Sequence, residues 1–415
     1  MADDSDDAGT GGSWGDAGGG STGSDSYTEV STTSWFKRLG NAIVGVVIGL
    51  ILFIVAFPLL WWNEGRAVRT SQGLNELAGS IITISPDKVD PANNKKPVHL
   101  TAPATTEETL ADPLFPVEAK AIKIRRKVEM YQWQEDKKTE SKKQIGGSEE
   151  KRTTYTYETV WSEQPISSAD FQHPQDHSNP SEMRYRSQEV IAKDVHVGAF
   201  TLPGMLVEQM SNYEALPFPE TARNKLSDEL KSQLVVGDGA VYFPNTAKSK
   251  KVEVANPAVG DLRITFELVK PATVSIAAGQ QGNTFEVWRS KNGTSVERLR
   301  VGSYSSADMV NQLKAENTTL TWVLRLVGFV LMTVGIALGL APLHVFADVI
   351  PFVGNIVGMG TGLIAFVSAS FFSLMTIAMA WIFYRPLFGI LLIAAAVGIV
   401  VLFRMLRQPK RATAA

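Results

Sequence analysis

Polar and apolar positions separate into long blocks along this chain. Residues 1–38 are polar and rich in Asp, Gly and Ser. From Ile43 to Trp62 ("IVGVVIGLILFIVAFPLLWW") twenty residues pass without a charge. As a helix they measure about 30 Å, the thickness of a bilayer's hydrocarbon core. Trp61 and Trp62 end the run as interface anchors, with the indole ring among headgroups and its N–H toward water. Asn63, Glu64 and Arg66 follow, and the pattern places them in water. The run starts late, is long and lacks a small-residue cleavage pattern, so it predicts an anchor rather than a cleaved leader.

A second apolar block begins near Trp322. Residues 322–341 predict a span whose one charge, Arg325, lies near enough to the end to snorkel. Residues 342–355 predict a connector with an interfacial segment. Residues 356–384 predict a third, tilted span ending at Tyr384. Arg385 is expected to anchor the turn at the interface, with Pro386 starting a fourth helix over 387–403. Residues 404–415 form a basic tail. Four spans put both termini on one side, and Lys37, Arg38 and the basic tail make that side cytoplasmic. Residues 63–320 then face a periplasm or an organelle lumen.

Within 63–320 the period shortens. Alternating β-branched and aromatic residues on both sides of a charged, Gly-containing loop predict a long hairpin through Trp133 and from Thr153 to Trp161. Further strands are expected around Ile81, Val98, Val235–Phe243, Leu262–Val269, Ala272–Ala278, Thr284–Arg289 and Ser295–Val301. Helical spacing appears after Pro203, over Glu220–Leu234, from Arg66 to Ala78, and from Ser306 into the second span. The fold class is therefore a membrane protein with four transmembrane helices and a large α+β, antiparallel-sheet ectodomain between the first two. Short connectors at both ends make that domain a fixed cap on the bilayer. Residues 1–38 read as a disordered tail.

Composition removes several classes. The net charge of −2 over 415 residues does not suit a generic nucleic-acid binder. Arg125, Arg126 and Lys127, like Lys137 and Lys138 and like Lys142 and Lys143, read as solvated strand ends and a hairpin loop, with contact to anionic lipid as the sharper alternative. No cysteine is present, which excludes disulfides, thiolate catalysis and Cys-ligated metals. Small residues recur four apart at Gly45 and Gly49, at Gly335 and Gly339, and at Gly354, Gly358 and Gly362. They permit close helix packing, within one bundle or between copies.

Several segments resemble the LUMA (transmembrane protein 43) family. They are "NEGRA" (Asn63, Glu64, Gly65, Arg66), "VEMYQW" (Glu129, Tyr131, Trp133), "YTYETVW" ending at Trp161, and "HSNPSEM" (His177, Asn179, Pro180). "VGDLRITF" (Gly260, Asp261, Arg263) and "WIFYRPL" (Tyr384, Pro386) complete the set. The resemblance implies one N-terminal span, a large lumenal domain, a C-terminal membrane cluster and self-association. In animals it also implies an envelope location, organisation of partners such as emerin and lamins, and channel-related roles. The acidic tail has no counterpart in that pattern and suggests a non-animal relative.

Chemistry is sparse. "HPQDH" offers His173, Asp176 and His177 as metal donors, but a polar loop explains them as well. Tyr131, Trp133, Tyr155, Tyr157 and Trp161 predict cross-strand aromatic packing. No catalytic site and no cofactor are expected. The expected partners are membrane lipid, further copies of the chain and other membrane proteins. The leading expectation is a non-enzymatic, self-associating scaffold; a channel or channel modulator and an ectodomain enzyme or metal binder are the alternatives.

Overall fold

The computed structural model describes residues 25–245, 253–386 and 398. Six α-helices occur among them: α1 (Trp35–Ser80), α2 (Gly204–Val207), α3 (Glu220–Lys225), α4 (Asp228–Gln233), α5 (Ser306–Ala347) and α6 (Pro351–Tyr384). Three of these, α1, α5 and α6, are long and apolar enough to cross a membrane. The expected fourth span, 387–403, and the basic tail lie outside the described residues.

Ser34 caps α1 by accepting from the Lys37 amide. A capping box between Ser305 and Asp308 starts α5. The two helices pack antiparallel along their whole length, and each continues from its apolar stretch into the domain without a break. The cap is thus held by two continuous rods. The connector expected over 342–355 shrinks to three residues, because α5 runs through Pro342 to Ala347 and α6 starts at Pro351. Pro351 occupies the first helical turn, where its missing N–H costs nothing.

The domain holds two main sheets, almost wholly antiparallel. The larger has the order 25–33, 149–162, 123–143, 262–269, 240–243, 235–237, with 188–191 and 214–216 pairing off that path. The second is built on 97–105 and 272–281. Apolar side chains from both, including Leu100, Ile124, Val128, Phe266 and Ile276, form one core. The helical spacing after Pro203 yields only α2, because Glu214–Leu216 pairs with Phe266–Leu268 and tertiary pairing overrides local preference. The helix expected over 220–234 splits at Leu226 and Ser227, where Ser227 caps α4.

Two further expectations are corrected. The tail does not stay unstructured to residue 38. Asp25–Thr33 is a strand paired over nine residues with Tyr157–Glu149, and its alternating Thr, Val and Tyr residues suit a ladder better than composition suggested. The long hairpin is present, pairing Lys123–Lys143 with Glu149–Ser162, but its tip does not stay near the cap. The Gly147 carbonyl accepts from Arg38 Nη1 at 2.6 Å, and Val349 O accepts from Gly146 N. Sequence had put Arg38 and Gly147 on opposite sides of a bilayer. Strand 123–143 has 21 residues, about 69 Å. Helix α1 has 46 residues, also about 69 Å. Strand and helix therefore match in length, and the polar strands 25–33, 149–157 and 135–143 run back from this contact for nine residues, about 30 Å.

Candidate functional site

The residues singled out by sequence gather in two places, and a third cluster joins the hairpin tip to the helices. The first lies where α1, α5 and α6 meet the domain. Glu64 is fully buried and accepts from Arg325 through both oxygens, at 2.6 and 2.9 Å. It also accepts from Trp381 Nε1 at 2.7 Å. Arg325 stacks on Trp322 and Trp381, and Arg385 also lies over Trp381. Asn63, equally buried, donates to the Thr321 carbonyl. Arg66 bonds Asn317, Asn63 and Thr321. Gly65 is glycine because a Cβ there would come within 2.6 Å of the Tyr384 ring.

Asn63 and Glu64 are therefore not in water, and Arg325 does not snorkel. A buried carboxylate needs a partner, and Arg325 supplies a bidentate one across 261 residues of sequence. Trp61 packs against Phe383 and Tyr384, while Trp62 stays half exposed. Arg385 caps the end of α6, with its N–H on Trp381 O, and Pro386 follows.

The second cluster is the root of the hairpin. His177 is buried, stacks on Tyr157 at 3.7 Å and meets the Trp133 ring edge-on. Its Nδ1 bonds the His173 carbonyl. Asn179 holds both backbone groups of Trp133, accepting from its N and donating to its O. Asp261 accepts from the Asn245 and Ala258 amides. Gly260 has φ +95° and presses against Asn245 and Pro180, so a side chain is excluded on both counts. Glu129 pairs with Arg263, whose guanidinium stacks on Trp161, itself beside Tyr131. Tyr157 donates to Glu135 at 2.5 Å. These contacts fix the direction in which the hairpin leaves the domain. Among the described residues no three His, Asp or Glu side chains converge to hold a metal ion.

The third cluster was not foreseen. Asp348, fully buried at the end of α5, binds Arg38 at 2.5 Å and Lys143 at 2.7 Å. Arg38 also reaches Glu149 at 3.3 Å. Trp35 Nε1 donates to Val345 O, and the Trp35 ring lies where a side chain on Gly147 would be. The only hint in sequence was a lone Asp between two apolar runs.

The basic cluster also divides. Arg126 is buried against Asp112 at 2.5 Å, and Arg125 pairs with Glu267. Neither is a free strand end. Of the small residues, Gly49 and Gly335 bring α1 and α5 into backbone contact, a Cβ on Gly45 would lie 3.6 Å from Leu338, and Gly339 N lies beside Gly49. Gly354 abuts Asp348, whereas Gly358 and Gly362 face open space.

A family profile described as "Transmembrane protein 43" matches residues 130–386. The chain is 31% identical to human "Transmembrane protein 43" over 401 residues, covering 93% of this chain and 96% of that one. It is 31% identical to the mouse protein of that name, over 86% of this chain and 89% of that one. It is 29% identical to the Drosophila melanogaster "Transmembrane protein 43 homolog", over 84% and 90%. No solved structure matches it.

Proposed function

This chain belongs to the transmembrane protein 43 family, and on that premise we propose that it is a non-enzymatic, self-associating membrane scaffold that holds its rigid cap at a fixed height and organises other membrane proteins. It is an integral, multi-pass membrane protein. The observation that carries the reading is the polar sheet beside the apolar helices. Its strands offer Glu29, Lys137, Lys138, Glu140, Lys151 and Arg152 along the height of the span. Such side chains and free strand edges are not tolerated against lipid. Further copies packed around the sheet would shield them, and the paired edges would supply the association.

In this reading both termini are cytoplasmic and the body of the domain lies on the other side, with the hairpin tip reaching the cytoplasmic ends of α1 and α5. The chain has no native cysteine, so one introduced at Ser141 reports its side without background. Labelling by a membrane-impermeant maleimide only from the cytoplasmic side, together with cross-linked oligomers in native membranes, is the expected result. Labelling only from the domain side, on a monomer, would overturn the reading.

The same observation favours a second reading as a channel or channel modulator, since polar strands at membrane depth can line water. Conductance of purified protein in planar bilayers, abolished by Lys138→Leu with Glu140→Leu, would select it.

A further inference from the structure

We propose that the groove between α5 and the strand Arg298–Val301 binds the headgroup and upper acyl chain of one membrane glycerophospholipid. The groove is shallow and widely open, with room for about 480 Å³, and is lined by Arg300, Gln312, Ala315, Glu316, Leu320 and Val323, with Thr319. Its position is set by α5. Val323 is two residues before Arg325, which is locked to Glu64 at the membrane boundary, and Trp322 beside it is 63% exposed. Gln312 lies eleven residues up the helix, about 16 Å toward the domain. The groove therefore starts at the hydrocarbon boundary, and Glu316, seven residues up from Val323, stands about 10 Å above it, at the outer edge of the headgroup layer.

The chemistry changes along that axis in the order that a phospholipid requires. Leu320 and Val323, about half exposed, form an apolar floor. Above them Glu316 accepts from Arg298 at 2.8 Å and from Arg300 at 2.5 Å. Two guanidiniums on one carboxylate leave one positive charge over. Each commits one terminal nitrogen to Glu316, so N–H donors remain for a phosphodiester. Gln312 Oε1 is buried and has no hydrogen-bond partner. It is an acceptor about 6 Å further toward water than Glu316 and suits a headgroup whose outer end carries a hydroxyl or ammonium donor. Phosphatidylglycerol satisfies all three features. Phosphatidylcholine lacks the donor, and diacylglycerol lacks the phosphate.

The test is native mass spectrometry of delipidated full-length protein titrated separately with the dioleoyl forms of these three lipids. Phosphatidylglycerol should be retained at one per chain, more strongly than phosphatidylcholine, with diacylglycerol weakest. Arg298→Gln with Arg300→Gln should weaken phosphatidylglycerol about tenfold and leave diacylglycerol unchanged. Ala315→Trp, which fills the groove and spares the arginines, should also lose the bound lipid. Equal retention of all three lipids, or no effect of either variant, would mean ordinary annular contact and overturn the proposal. Loss of oligomer rather than lipid in Ala315→Trp would also overturn it, since a second copy would then fill the groove.

Discussion

Arg325 on α5 grips Glu64 on α1 with both carboxylate oxygens, at 2.6 and 2.9 Å, where the helices leave the apolar layer. Trp381 on α6 adds a third bond to the same carboxylate. One buried charge therefore ties three helices together at the base of the domain. Its cost is desolvation, and its use is registry: α1, α5 and α6 can satisfy Glu64 in only one relative height.

The first prediction concerns that pair. Arg325→Ala leaves a buried carboxylate unpaired and should destabilise the protein by about 3–5 kcal/mol. Glu64→Leu with Arg325→Leu should cost much less than either single change, because no charge is stranded. Thermal melts in mild detergent compare them. A double variant as unstable as the sum of the singles would show that the pair acts through something besides its charge.

The second separates the glycines. A Cβ on Gly49 would lie 2.5 Å from the Gly335 carbonyl, so Gly49→Ala must push α1 from α5 and cost about 1–3 kcal/mol. Gly358 and Gly362 have open space, so Gly358→Leu should leave the monomer's melting unchanged and lower only its association. Size analysis alongside the melt distinguishes the two effects. Equal melting losses would place Gly358 inside the monomer's own packing.

A third follows from the distal cluster. Asp348→Asn removes the charge that holds both Arg38 and Lys143. Trypsin should then cut at Lys142 or Lys143 faster than in the unaltered protein, while sites in the domain body remain as protected as before. An unchanged cleavage rate would mean that the tip is held by backbone contacts alone.

The fourth is a pH dependence in the domain. Burial lowers the pKa of His99 below its usual 6.5, partly opposed by its bond to the Tyr304 carbonyl. The folded state therefore binds that proton less readily than the unfolded chain. Stability from this group is full above pH 6.5 and falls as pH drops below it. Melting temperature should decline from pH 7 to pH 5, and His99→Asn should flatten that decline. A slope identical in the variant would assign it to other groups.

Sequence revealed the membrane helices because charge-free runs are long and unambiguous, and it revealed the hairpin because alternation persists on both sides of its loop. Much of the ectodomain topology was not legible, since pairing such as Glu214–Leu216 with Phe266–Leu268 depends on contacts far apart in sequence. "NEGRA" stood out as a pattern, but its role did not. A glutamate after a tryptophan pair looks solvated until Arg325 and Trp381 arrive from other helices. Asp348 was hidden for the same reason, because its partners Arg38 and Lys143 are 310 and 205 residues away.

The central claim is that copies of this chain shield the polar sheet from lipid. Single cysteines at successive positions from Ser26 to Thr32, on the outermost strand of that sheet, test it in the cysteine-free background. Oxidation in native membranes, followed by non-reducing size separation, should give disulfide-linked dimers with a maximum at one position and a decline on either side. Only monomer at every position, with each variant folded and inserted, would contradict the account.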